Sequence, residues 1–256
     1  MNINMKINLA LDKPLWDAGI RYNHKLNLAS ASWLTFGPSG SGKSVLNKLI
    51  AGRIASIPDT GFDTAPNARA RVTICDGKAD DYTFLRDVPN ARYYEYLDVQ
   101  NGLTTFFNEF EDRLHGNPDR SFRLIVLEEW SSYLRVLENS GKEGAQAAKT
   151  SLSQAFSITS QGRAYNTHCL FSVQRPDSQF LSGFRENLTT IIGLGRISPE
   201  AARMVGFNEY ELFSNNNCGQ SNGWLLDDTG KFAQIIVPRV KDFNKLHRAI
   251  TDVVTR

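Results

Sequence analysis

Polar and apolar residues alternate from Asn2 to Leu11, the two-residue period of a strand with one buried face. After a polar stretch, Ser32 to Phe36 (SWLTF) reads as a buried strand that runs into a glycine-rich turn. Val45, Leu46, Leu49, Ile50 and Ile54 then recur at helical spacing, so the segment reads strand, loop, helix. A Pro/Gly/Asp-rich loop at 58–69 precedes a short strand from Arg71 to Cys75, and Asp98 is placed to N-cap a helix that runs through Leu114. Leu124 to Leu127 is a continuous apolar run of strand length, followed by helical stretches across 130–161 that the polar run NSGKEG at 139–144 should interrupt. His168 to Val173 and Thr189 to Leu194 are further buried strands, each expected to lead into a turn and a helix, and Lys241 to Arg256 reads as a closing amphipathic helix.

Strands alternating with helices, the strands apolar throughout, predict an α/β fold: a mainly parallel sheet covered by helices on both faces. No repeat, low-complexity segment or long linker divides the 256 residues. One domain is therefore expected, with a lead-in at 1–30, a core at 31–240 and a closing helix at 241–256. Hydrophobic residues at 41% supply a sizeable core.

A net charge of +2 excludes a histone-like chain or an acidic tail. Residues 1–60 carry seven Lys/Arg against three Asp, so positive charge concentrates around the glycine-rich turn. Cys75, Cys169 and Cys218 lie far apart with no metal-ligand spacing, which argues against a disulfide framework or a zinc site and for a reducing, cytoplasmic setting. No signal-peptide pattern is present, and no stretch approaches the roughly 18 apolar residues of a spanning helix, so direct membrane insertion is not expected.

Gly37-Pro38-Ser39-Gly40-Ser41-Gly42-Lys43-Ser44 fits G-x-x-x-x-G-K-[ST] between a predicted strand and a predicted helix. The glycines let the backbone curl so that its N–H groups face phosphates at a helix N-terminus, with Val45 continuing the cradle. Lys43 is expected to reach the β- and γ-phosphates of ATP and Ser44 to ligate Mg²⁺. The partner motif should be an apolar strand ending in carboxylates at the same sheet edge. Leu124 to Leu127 followed by Glu128-Glu129 fits, with Glu128 on the Mg²⁺ side and Glu129 orienting or deprotonating the attacking water.

These residues resemble the FtsK/SpoIIIE branch of the FtsK-HerA superfamily of ring-forming RecA-like motor ATPases. GPSGSGKSVLN is similar to that family's GTTGSGKSV-x-x-N. Gly162-Arg163-Ala164 through His168 and Gln174-Arg175-Pro176 resemble its G-R-A-x-x-x-H-L and T-Q-R-P stretches. Gly195-Arg196-Ile197-Ser198 through Gly206 resembles its F-R-V-S-S…I-L-G block, and Gly219 to Leu225 its G-x-G-D-M-L turn. Glu128 stands where the family usually has Asp, and Val173 where it has Thr. The family's membrane anchor and DNA-reading winged helix have no counterpart here, so other proteins are expected to supply recruitment.

The resemblance implies a RecA-like P-loop NTPase that assembles into a homo-oligomeric, hexameric ring and moves double-stranded DNA in plasmid, conjugative-element or phage processing. It implies Gln174 as a sensor of the γ-phosphate and Arg163 or Arg196 as a finger inserted into a neighbouring subunit's site. Lys149, with Lys142 in the loop before it, corresponds to the family's channel lysines that touch DNA phosphates. Asp76, in Cys-Asp-Gly-Lys, resembles the family's D-P-K but reads equally well as a turn former. His168 reads as a packed core histidine. The chief alternative keeps the fold and changes the cargo to polypeptide, as in FtsK-like ATPases of secretion systems. A P-loop kinase gives Gln174 and Arg163 no role, and a non-catalytic module gives the two carboxylates none.

Overall fold

A computed structural model describes residues 5–30, 32–57, 69–181, 183–207 and 219–256. Residues 2–4 of the expected first strand, the expected loop at 58–68 and Cys218 lie outside the described residues. The described strands form one ten-stranded sheet. Its centre is six parallel strands: β3 (Ser32–Phe36), β4 (Arg71–Asp76), β5 (Tyr93–Glu95), β6 (Arg123–Glu128), β7 (Thr167–Val173) and β8 (Leu188–Leu194). They lie in the order β8-β3-β7-β6-β4-β5. Beyond β8 the sheet turns antiparallel through β9 (Asn222–Leu226), β10 (Phe232–Ile236), β1 (Lys6–Asp12) and β2 (Asn23–Asn27).

Seven α-helices accompany the sheet among the described residues: α1 (Lys13–Asp17), α2 (Lys43–Ala55), α3 (Val99–Leu114), α4 (Trp130–Glu138), α5 (Gly141–Gln161), α6 (Pro199–Met204) and α7 (Phe243–Thr255). The two-residue period of the strands sorts the core into two layers. On β6, Ile125 and Leu127 face the side packed by α3, α4 and α5, with Phe106, Phe110, Leu134 and Ile158. Leu124 and Val126 face the other side, against Leu46, Ile50 and Ile54 of α2 and Ile250, Val253 and Val254 of α7. Both faces are covered, as the apolar strands required.

The expected elements differ from the observed ones in four places. Asp98 stands at the N-cap position of α3 but makes no side-chain cap: its backbone is already helical, and its carboxylate accepts from Asn101 Nδ2 rather than from the backbone. The polar run at 139–144 interrupts the helices only at Asn139 and Ser140, because Gly141 turns with φ 81° and starts α5 at once. Lys142 therefore stands in the first turn of a helix and not in a loop. No α-helix follows β7 before β8 among the described residues; two single 3₁₀ turns, at Ser178–Phe180 and Arg185–Asn187, make the connection. Gly219 to Leu225 is not a turn alone, since β9 begins at Asn222 and pairs with both β8 and β10.

Candidate active site

The parallel strands β3, β4, β6, β7 and β8 end together, with Phe36 beside Val173 and Gly193, and Asp76 beside Glu128. The first residue beyond each strand is thus delivered to one sheet edge: Gly37, Gly77, Glu129, Gln174 and Gly195. Ligands of open α/β sheets bind at this carboxyl edge.

From β3 the chain enters the Gly37–Ser44 loop. Gly37 has φ 145°, and a Cβ there would lie 2.2 Å from the Leu194 carbonyl oxygen, so no side chain fits. Gly42, at φ 103°, starts α2 in a left-handed conformation. Pro38, Ser39 and Gly40 lie at the loop tip, where Ser39 and Gly40 are exposed. Ser41 is buried with no hydrogen-bond partner for its hydroxyl among the described residues, and Val45 is half-buried in the first turn of α2. Lys43 is buried, and its ammonium donates to the carbonyls of Gly37 (2.7 Å) and Pro38 (3.1 Å). Burial lowers its pKa, against the opposing pull of Glu129 and Glu128. A cationic group at the mouth of a helix N-terminus suits a polyphosphate.

The turn after β4 brings in residues whose roles the sequence patterns missed. The buried Asp76 carboxylate gathers five backbone N–H groups, those of Lys78 and Ala79 on Oδ1 and of Asp80, Asp81 and Tyr82 on Oδ2. Burial nonetheless raises its pKa, with Asp81 adding to the effect. Asp76 is thus the organiser of a tight turn, and the turn aims three side chains. Asp81 Oδ2 accepts from Ser44 Oγ at 2.8 Å, Tyr82 OH donates to Glu128 Oε1 at 3.1 Å, and Lys78 Nζ pairs with Glu129 Oε1 at 2.9 Å. The Asp-Gly-Lys-Ala-Asp-Asp run was the signal available in sequence, but its meaning depends on which strand ends lie next to it.

Glu128 ends β6 with only 1% of its surface exposed. Oε1 accepts from Asn47 Nδ2 (2.9 Å) and Tyr82, while Oε2 makes no hydrogen bond of ordinary geometry among the described residues. Burial pushes its pKa up to about 7; the Ser172 hydroxyl and Asn47 offset this in part, and Asp81 and Asp76 add to it.

Glu129 follows in a left-handed conformation (φ 50°, ψ 38°) that turns its side chain away from that of Glu128 and opens α4. Oε1 accepts from Lys78, and Oε2 accepts from Gln174 Nε2 (3.1 Å) and Ser132 Oγ (3.2 Å). Burial alone would raise its pKa, but Lys78 and Gln174 bring it below the usual carboxylate range. Gln174 stands one residue beyond β7 and is exposed, and its amide donates to Glu129.

The two arginines sit at opposite ends of the strands. Arg196 is exposed next to Gly195, whose Cβ position lies 3.0 Å from Ser41 Cβ, so it stands beside its own phosphate loop. Arg163 is exposed in the 3₁₀ turn before β7, at the far end of that strand from Gln174. At roughly 3.3 Å per residue, seven strand residues keep it about 20 Å from its own loop. Lys142 and Lys149 are both exposed on α5. His168 is fully buried between the Trp33 and Phe122 rings and serves the core. Cys75 and Cys169 are buried free thiols. Among the described residues no helix is long and apolar enough to cross a membrane.

No family model and no curated protein matches the chain in sequence. Solved structures do match in fold. The pCW3 conjugation coupling protein TcpA, solved in monomer form with ATPγS, superposes with a TM-score of 0.67 at 16% identity, over 89% of this chain and 67% of that one. EssC (ATPases 2 and 3) from Geobacillus thermodenitrificans gives 0.65 at 15%, over 97% and 48%. The cytoplasmic domain of the Thermomonospora curvata type VII secretion ATPase EccC gives 0.62 at 17%, over 97% of this chain and 30% of that one. The chain thus spans under a third of EccC and about half of EssC. The likeness is one of fold: the chain shares the P-loop NTPase fold of the domains it matches.

Proposed function

We propose that the chain is an ATP-hydrolysing motor domain that works in a homo-oligomeric ring, a hexamer, and moves double-stranded DNA. The observation that carries this reading is the meeting, at one sheet edge, of the Gly37–Ser44 loop with Lys43, the paired Glu128 and Glu129, and Gln174. Lys43 and the loop N–H groups bind the phosphates of ATP. Glu129 orients and deprotonates the water that attacks the γ-phosphorus, and Gln174, hydrogen-bonded to it, reports the γ-phosphate. An exposed arginine from a neighbour, Arg163 by preference because it cannot reach its own site, would complete the charge on the transferred group.

Magnesium fits the residues present. Ser44 and Asp81 would hold it, with Glu128 behind them, and the crowding of Asp76, Asp81 and Glu128 in a buried place is the electrostatic deficit a divalent cation relieves. Bound there, the ion would neutralise phosphate charge.

Exposed Lys149 and Lys142 on α5 support duplex DNA as cargo, through phosphate contacts independent of sequence. A conjugative system also supplies one of the structural neighbours, TcpA. A recruiting or membrane partner would then deliver the motor to its substrate. One observation favours polypeptide instead: α5 also exposes Glu143 between the lysines and Phe156, 44% exposed, further along. ATP turnover measured with and without duplex DNA separates the two. Stimulation by DNA of any sequence supports the DNA reading, and its absence, with turnover retained, favours polypeptide.

A further inference from the structure

Lys78, the last residue of the Cys-Asp-Gly-Lys stretch, is given no role of its own by that pattern, yet it is the cation that holds Glu129. Its backbone is fixed by the turn around Asp76, and Gly77 N–H donates to the Glu128 carbonyl at 3.1 Å, which pins the turn to the end of β6. The side chain is held less firmly: it is 38% exposed, and its ammonium reaches across to Glu129, 51 residues away in sequence. Lys78 is also close enough to Lys43 to depress that ammonium's pKa by repulsion. It therefore lies within electrostatic reach of the phosphate-binding lysine and in contact with the carboxylate that would activate water.

Building on the ATPase reading, we propose that Lys78 is a phosphate-responsive clamp: it pairs with Glu129 until a terminal phosphate draws it away, and only then is Glu129 free to take a water. Competition favours the phosphate, because a γ-phosphoryl group presents three oxygens and more charge than one carboxylate, and Lys43 already concentrates phosphate there. Leaving Glu129 is inexpensive for a partly exposed lysine on a flexible four-carbon stem. Glu129 stays positioned, because Gln174 and Ser132 keep its other oxygen. A diphosphate lacks the competing group and leaves the clamp closed.

Equilibrium binding of MgATPγS and of MgADP tests this without relying on turnover, using wild type, Lys78→Met, Glu129→Gln and the double variant. Lys78→Met should weaken MgATPγS by about tenfold and MgADP by less than about twofold, the loss of one charge-assisted contact to the terminal phosphate. Glu129→Gln removes the competitor, so it should tighten MgATPγS severalfold when Lys78 is present and have no such effect in the Lys78→Met background. Lys78→Arg should retain part of the preference for the triphosphate. Equal losses for both nucleotides, or a Glu129→Gln effect that is the same with and without Lys78, would overturn the clamp. Wild-type protein that binds neither nucleotide would overturn the ATPase reading itself, a distinct result.

Discussion

Glu128→Gln should stabilise the ligand-free protein at neutral to alkaline pH and lose that advantage in acid. The wild-type carboxyl is 1% exposed, one oxygen makes no hydrogen bond of ordinary geometry among the described residues, and its pKa is pushed up to about 7 from 4.5. A raised folded-state pKa means that the folded chain holds this proton more tightly than the unfolded chain. The stability contribution is therefore full below about pH 4.5, falls as pH rises, and is lost above about pH 7. At about 1.4 kcal/mol per pKa unit, ionising the group in place costs about 3 kcal/mol, of which about 2–3 kcal/mol develops between pH 5 and pH 8. Glutamine does not titrate, keeps an acceptor for Asn47 and Tyr82, and offers an N–H₂ to the neighbouring Ser172 hydroxyl in place of a charged oxygen. The assay is urea unfolding at pH 5, 6, 7 and 8. The stability difference between variant and wild type should widen with pH by that amount, equivalent to about 5–10 °C in Tm for a chain of this size. A difference that stays constant from pH 5 to pH 8 would refute the claim that Glu128 is carried as a costly buried carboxylate.

Lys43→Ala should abolish ATP hydrolysis while shifting Tm by no more than a few degrees, because its ammonium satisfies only two carbonyls of a loop whose tip is open to water; turnover at the wild-type rate would remove the loop from the mechanism. Lys149→Ala should weaken duplex DNA binding equally for all sequences and reduce the slope of log K against log salt by about one, and an unchanged slope in a binding titration would move the contact off α5. Mixing Lys43→Ala with Arg163→Ala subunits under confirmed exchange should restore part of the ATPase rate. Recovery with Arg196→Ala in place of Arg163→Ala, and not with Arg163→Ala, would make Arg196 the finger.

Much of this site was legible because its signals are local. A glycine that tolerates no Cβ, a lysine and a serine opening a helix, and an apolar strand ending in two carboxylates each occupy a few consecutive residues. The antiparallel half of the sheet was not legible in the same way. Asn23–Asn27 is short and mostly polar, and Phe232–Ile236 is five residues without a two-residue alternation whose second partner, β1, lies more than 200 residues away, so periodicity does not announce them. Asp98 fails as a cap because a 3₁₀ turn at Tyr96–Asp98 feeds straight into α3, a detail of backbone geometry that residue type cannot reveal. The roles of Asp81 and Lys78 were missed for a related reason: their partners, Ser44 and Glu129, are 37 and 51 residues distant, and the sheet order that sets β4 beside β6 brings them together.

That pairing also explains how one turn can serve both halves of the chemistry. Asp76 pairs with Glu128 across β4 and β6, so the turn leaving Asp76 and the helix leaving Glu129 must diverge from adjacent points. A turn wound around a single buried carboxylate is stiff, since five N–H groups converge on Asp76 and any one of its residues moves only if the others do. Asp81 at one end of it accepts from Ser44, and Lys78 near the other end pairs with Glu129. A cation held by Ser44 and Asp81 and a phosphate facing Lys78 would therefore meet side chains carried by the same stiff turn. The turn fixes the backbones of Asp81 and Lys78 relative to each other, so in the proposed clamp only the Lys78 side chain has to move for Glu129 to be freed.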